Sequence, residues 1–81
     1  MKIKIRAFAN VRELWGFEEK ELTVSEGITV KKVMQELGKI HHAPGVNEKS
    51  LLYAVNEEYC RDDMTLSDGD TLAIFPSVSG G

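Results

Sequence analysis

Few side chains in this chain of 81 residues could carry out a reaction, and their spacing excludes most of the reactions they could perform. Cys60 is the single thiol, yet no histidine lies near it in sequence to serve as its base, and its strand-like surroundings suit a small half-buried apolar residue. His41 and His42 are adjacent, so on a helix their side chains diverge by about 100° and cannot share one metal ion; two further ligands would also be needed. The stretch "DDMTLSDGD" is rich in aspartate but lacks the long loop closed by glutamate that calcium requires, so Asp68-Gly69-Asp70 reads as a turn. Glu18-Glu19 and Glu57-Glu58 are neighbours along predicted strands and point to opposite faces, which prevents a general acid/base pair. No phosphate-cradling glycine loop or dinucleotide fingerprint is found.

Attention therefore moves to the last residue, Gly81. Its α-carboxylate is ionised at neutral pH and is a poor electrophile until activated. Adenylation by ATP would turn it into a mixed anhydride, and sulfur could then displace the adenylate and leave a thiocarboxylate, with the protein itself as a covalent carrier. Gly80 and Gly81 have no Cβ, so together with Val78 and Ser79 they make a tail that can thread a narrow channel and leave the carbonyl open to attack. Pro76, with its fixed φ, stiffens the exit from the last strand and aims the tail away.

Composition sets the frame for that chemistry. At 42% hydrophobic and 28% charged, the chain reads as one globular domain with a modest core and little spare stability for an enclosed pocket. Function is then expected on a surface, an edge or a terminus. The net charge of −3 has the wrong sign for a protein that grips phosphate backbones, so no nucleic-acid partner is expected. The start "MKIKIRAF" alternates charged and apolar residues where a signal peptide needs a continuous apolar run, and one cysteine cannot form an intrachain disulfide. A cytoplasmic setting is expected, with no membrane partner, because the longest apolar run, "LLYAV", is far too short to span a bilayer.

The elements that must position the tail follow from periodicity. Ile3, Ile5 and Ala7 share one face of a first strand, with Lys2, Lys4, Arg6 and Phe8 on the other. "ANVRELWG" is read as a short connector of about one helical turn closed by Gly16, and "FEEKELTV" as a second strand with Leu22 and Val24 inward. Val30, Val33, Met34, Leu37 and Ile40 form one face of a helix, with Thr29 as its N-cap, Ile28 stapled onto Val33, and Pro44-Gly45 ending it. "SLLYAVN", "EEYC" and "TLAIF" give three more strands, the last introduced by the turn "SDGD". A mixed sheet with one main helix across one face is an α+β roll of the β-grasp, ubiquitin-like kind. Residues 1–76 form this domain and 77–81 a flexible diglycine tail. With Leu72 and Ile74 toward the helix, Phe75 faces out, as does Phe8. Together with Tyr59 on the short fourth strand they point to a partner surface.

"FANVREL", "LLYAVN", "LSDGDTLAIFP" and the closing "SVSGG" stand in the order that identifies the chain as resembling the small subunit of molybdopterin synthase, a ubiquitin-like sulfur carrier family. Ser77 departs from that pattern, which often has a second proline there. The resemblance implies that an E1-like enzyme uses ATP to adenylate Gly81, that the product is converted to a thiocarboxylate, and that the carrier binds no cofactor or metal itself. It implies insertion of the tail into the large synthase subunit and delivery of sulfur to cyclic pyranopterin monophosphate, two transfers building the molybdopterin dithiolene. It further implies a hydrophobic contact with the large subunit around the tail, matching Phe8, Tyr59, Phe75 and Pro76. The assembly would be a heterotetramer, and this chain its sulfur-donating rather than catalytic subunit. Three alternatives stay open: a carrier for another product such as the thiamin thiazole, a modifier that joins its terminal glycine to lysine, and an interaction module with an inert tail.

Overall fold

Ile3, Ile5 and Ala7 are each no more than 1% exposed, while Lys2, Lys4 and Arg6 meet solvent. This is the period-two pattern of a strand buried on one side. The computed structural model describes residues 1–40 and 51–76. Its elements are β1 (Lys2–Ala7), α1 (Ala9–Trp15), β2 (Glu19–Thr23), α2 (Val30–Ile40), β3 (Leu51–Val55), β4 (Glu58–Cys60) and β5 (Thr71–Pro76). The strands make one sheet in the order β2-β1-β5-β3-β4. β1 is antiparallel to β2 and parallel to β5, and β3 is antiparallel to both β5 and β4. The expected β-grasp roll is thus present, with the last strand in the middle of the sheet.

The core lies between the odd face of β1, the inward face of β5 and one stripe of α2. Val30, Val33, Met34 and Leu37 are buried as their spacing predicts, against Leu72 and Ile74 of β5. Complete burial of each such aliphatic chain is worth about 1.5–3 kcal/mol, so this stripe holds the helix on the sheet. The Thr29 hydroxyl oxygen accepts from the Lys32 backbone N–H at 3.3 Å, confirming the cap, and Ile28 packs half-buried against the core that includes Val33. The side chain of Ile40 lies outside the described residues, as do His41, His42, the Pro44-Gly45 stop and the tail 77–81 with its boundary.

Two local expectations are corrected, and one buried residue was not anticipated. "ANVRELW" is not a connector with a single turn but a helix of seven residues, because Val11 and Trp15, four apart, share a face that is buried in the core. Gly16 closes it in the left-handed region at φ 79°, its N–H donating to the Arg12 carbonyl at 2.9 Å. Glu57 is not in a strand: Asn56 and Glu57 form the two-residue turn between β3 and β4, with φ of 50° and 73°, the positive values of a type I′ hairpin. Finally, Leu66, which lies in no periodic segment, is 2% exposed. Carbonyls of the preceding loop accept from the helix start, that of Met64 from the Val30 N–H at 3.0 Å and that of Asp62 from the Lys31 N–H at 2.8 Å. Those bonds satisfy N–H groups a helix leaves open, and they bring Leu66 down into the core.

Candidate functional site

Residues directly opposite one another on paired strands share a face. The pairs Arg6↔Glu19, Arg6↔Ala73, Ala54↔Ala73 and Ala54↔Tyr59 therefore lay one row across all five strands, on the side of the sheet away from the helix. Next to it runs a second row in which Phe75 stands opposite Leu52. Phe8 continues β1 with extended backbone, its N–H donating to the Ile74 carbonyl at 3.2 Å, which sets its ring beside Phe75. The chain turns into α1 immediately afterwards, at Ala9.

The three aromatic residues singled out from sequence are brought together. The Phe8 and Phe75 rings stack with centroids 4.7 Å apart and an interplanar angle of 15°, and Tyr59 lies 6.0 Å from Phe75 at 51°. Tyr59 is 74% exposed and Leu52 40%, whereas Phe8 and Phe75 are half-buried by each other. Between Tyr59 and Arg6 the small side chains of Ala54 and Ala73 floor an open groove, bordered by Phe8 and Phe75 and, toward the other end of the strands, by Thr71, Asn56 and Glu57. Neighbouring aromatic rings with a shallow apolar floor, on an otherwise charged sheet face, suit a protein partner.

Charge surrounds the aromatic ribbon. The Arg6 guanidinium sits 5.2 Å from the centre of the Phe8 ring, and its Nε is 3.8 Å from Glu19 Oε2. Lys4 Nζ approaches Glu19 Oε1 at 3.5 Å and Lys2 Nζ approaches Glu21 at 3.7 Å. All these groups are about half exposed or more, so each pair adds at most about 1 kcal/mol, and their effect is to orient side chains.

Below the groove, a hydrogen-bonded clamp joins the β3–β4 turn to the start of β5. Asn56 Nδ2 donates to Asp70 Oδ1 at 2.9 Å, the Thr71 N–H donates to Asn56 Oδ1 at 3.0 Å, and the Asn56 N–H donates to the Thr71 carbonyl at 2.9 Å. Asp70 also accepts from the Ser67 N–H at 2.7 Å, and Asp68 from the Lys2 N–H at 2.8 Å, so "SDGD" is the expected turn and is tied to β1 as well.

Pro76 ends β5 half-buried, opposite Leu51. The remaining expected site residues, Val78, Ser79, Gly80 and Gly81, lie outside the described residues. Cys60 is half-buried at the end of β4, and burial pushes its thiol above the ordinary value. A less ionised thiol is a worse nucleophile, in keeping with a structural role. Among the described residues no group of three His, Cys, Asp or Glu side chains is placed to hold a metal ion, and no helix is long and apolar enough to cross a membrane. Sequence reasoning placed Arg6 on the outward face with Phe8 but did not name Arg6, Leu52 or the alanine floor among the site residues. The alternation in "LLYAV" and "TLAIF" carries the signal for Leu52, Ala54 and Ala73, since their neighbours fill the core.

The ThiS family matches residues 5–81. The molybdopterin synthase sulfur carrier subunit of Chlamydomonas reinhardtii is 35% identical over 83 residues, covering 100% of both chains. That of Escherichia coli (strain K12) is 37% identical over 81 residues, covering 98% of this chain and 99% of its own. Among solved structures, the small archaeal modifier protein 1 from Methanosarcina acetivorans superposes with a TM-score of 0.78 at 28% identity, over 99% of this chain and 96% of that one. The chain belongs to the ThiS family and is a homologue of the molybdopterin synthase sulfur carrier subunits.

Proposed function

We propose that this chain is the sulfur carrier of a molybdopterin synthase, with Gly81 as the reacting residue. An E1-like enzyme joins the Gly81 carboxylate to AMP from ATP and releases pyrophosphate. Sulfur at the sulfide level (HS⁻ or its equivalent) then forms a C–S bond as the C–O bond to AMP breaks, so that AMP leaves and the thiocarboxylate remains. In the large synthase subunit that sulfur passes to cyclic pyranopterin monophosphate, two loaded carriers being consumed for each dithiolene. Each carrier returns as a carboxylate once water has replaced the sulfur. Phe8, Tyr59, Phe75 and Pro76 hold the large subunit, and Val78, Ser79 and Gly80 pass through its channel. The assembled enzyme is a heterotetramer of two carriers flanking a dimer of large subunits, and the carrier itself binds no cofactor.

The observation that carries this reading is the placement of the aromatic ribbon on β5, the strand that leads directly into the tail. A partner seated on Phe75 is thereby positioned to receive Gly81. Fragment mass spectrometry on the tryptic peptide 62–81, from native cells making the cofactor, tests the chemistry. Replacement of oxygen by sulfur has nearly the nominal mass of Met64 oxidation, so the fragments must locate the change on Gly81. A thiocarboxylate there is the expected result; a plain carboxylate throughout would refute sulfur carriage. Deleting Gly81 should abolish sulfur transfer while leaving the melting temperature unchanged. A second reading, conjugation to lysine, is favoured by the likeness to the archaeal modifier protein. It predicts a ladder of larger species reacting with an antibody against this chain.

A further inference from the structure

Glu57 occupies a position where glycine would be the easier residue. It is the second residue of the β3–β4 turn, at φ 73°, in the left-handed region that side chains with a Cβ avoid. Asn-Gly is the preferred pair for such a turn, and here the first half of that pair, Asn56, is present while the second is not. The Asn56 clamp to Asp70 and Thr71 holds the turn rigidly, so the unfavourable backbone is imposed by its surroundings rather than relaxed. A strained residue maintained in this way is a candidate for function when its side chain has somewhere to act.

The Glu57 carboxylate does have such a place. It borders the same open groove as Tyr59, Phe75 and Phe8. At the far side of that groove Lys4 and Arg6 both turn to Glu19. Glu57 makes no ion pair or hydrogen bond among the described residues, whereas Glu19 already holds both Lys4 and Arg6, so Glu57 is the one carboxylate of the groove lining that no described cation meets. We infer that Glu57 is a specificity-determining residue of the docking face, its carboxylate pairing with a lysine or arginine of the large synthase subunit beside the aromatic contact. This rests on the sulfur carrier reading above. The charge acts at an exposed rim, where it guides approach and rejects wrong partners, and the apolar ribbon supplies most of the affinity.

The test is a titration of the full chain with its large synthase subunit at 50 mM and 500 mM salt, for the unmodified protein, Glu57→Gln, Glu57→Lys and Glu57→Gly. Glu57→Gln should weaken binding about 3–10-fold at low salt, Glu57→Lys more, and the differences should shrink at high salt as screening removes the charge term. Glu57→Gly should bind as weakly as Glu57→Gln while melting higher than the unmodified chain, because it relieves the backbone. Variants that bind like the unmodified chain at low salt overturn the assignment. So does a loss that persists undiminished at high salt, since that loss is not electrostatic. If the unmodified chain itself does not bind, the sulfur carrier reading fails and this inference with it, an outcome distinct from normal binding by every variant.

Discussion

Removing Phe75 should affect stability and partner binding together, by amounts that can be worked from the structure. In Phe75→Ala the half-buried ring no longer covers the sheet, which forfeits about 1 kcal/mol, or half the value of a fully buried aromatic chain. The near-parallel stack on Phe8 and the tilted contact with Tyr59 are also lost, together worth about 1 kcal/mol more. A loss of about 2 kcal/mol lowers the melting temperature of a domain this size by about 10 °C, measurable by circular dichroism. Binding to the large subunit, followed by titration calorimetry, should weaken by at least about 30-fold if Phe75 is a central anchor, since hot-spot residues cost about 2 kcal/mol or more. Phe75→Arg separates the two effects. Its aliphatic stem still lies along the sheet, so the fold loses less, while a guanidinium forced into an apolar contact damages binding further. Unchanged affinity in Phe75→Arg would remove Phe75 from the interface, and an unchanged melting temperature in Phe75→Ala would refute the stack as a stabilising contact.

Three further outcomes are expected. Asn56→Ala deletes both side-chain bonds of the clamp and leaves a Cβ residue at φ 50° without its local partner, so it should cost about 2 kcal/mol, seen as a lower urea midpoint with an unchanged slope. Cys60 should alkylate more slowly in the folded chain than in denaturant at pH 8, because burial raises the folded thiol above its ordinary 9.0 and reduces the thiolate present. The linked stability is fully present below that ordinary value and is lost as pH rises through the folded one, so Cys60→Ala should flatten the alkaline decline in melting temperature.

Strong periodicity was readable and weak periodicity was not. Ile3, Ile5 and Ala7 repeat at two, and Val30, Val33, Met34 and Leu37 repeat along a helical stripe, because each set packs against a continuous apolar surface. Among the described side chains of α1, Val11 and Trp15 mark the buried face, and that one spacing does not distinguish a helix from a turn. Glu57 passed for a strand residue because the usual sign of a two-residue turn is the glycine it replaces. Leu66 is buried through hydrogen bonds made by its loop to the start of α2, and no pattern within the loop announces that. The outward direction of Phe8 and Phe75 followed from alternation, but their stacking required the parallel pairing of β1 with β5, which joins opposite ends of the chain. The chemistry of Gly81 was argued from sequence alone, and the structure contributes the strand that precedes it.

On the proposed reading, that strand is what would let a small domain deliver its last residue with accuracy. β5 lies between β1 and β3, and Leu72 and Ile74 are fully buried beneath it, so its direction is set by the best-packed part of the fold. Phe75 is its outward anchor and Pro76 its final residue. From Phe75 to Gly81 the chain can reach at most about 22 Å, from six steps of roughly 3.3–3.6 Å each. A partner that fixes Phe75 would therefore confine Gly81 to a sphere of that radius. The entropy lost by the glycines in a partner's channel would, on the proposed reading, be offset by contacts made at the aromatic face. Docking on the sheet and reacting at the terminus are, on the same reading, separate tasks assigned to neighbouring residues. Substitutions at Phe75 should consequently weaken binding without altering the chemistry of Gly81, and changes at Gly81 should abolish the chemistry while leaving the docking face intact.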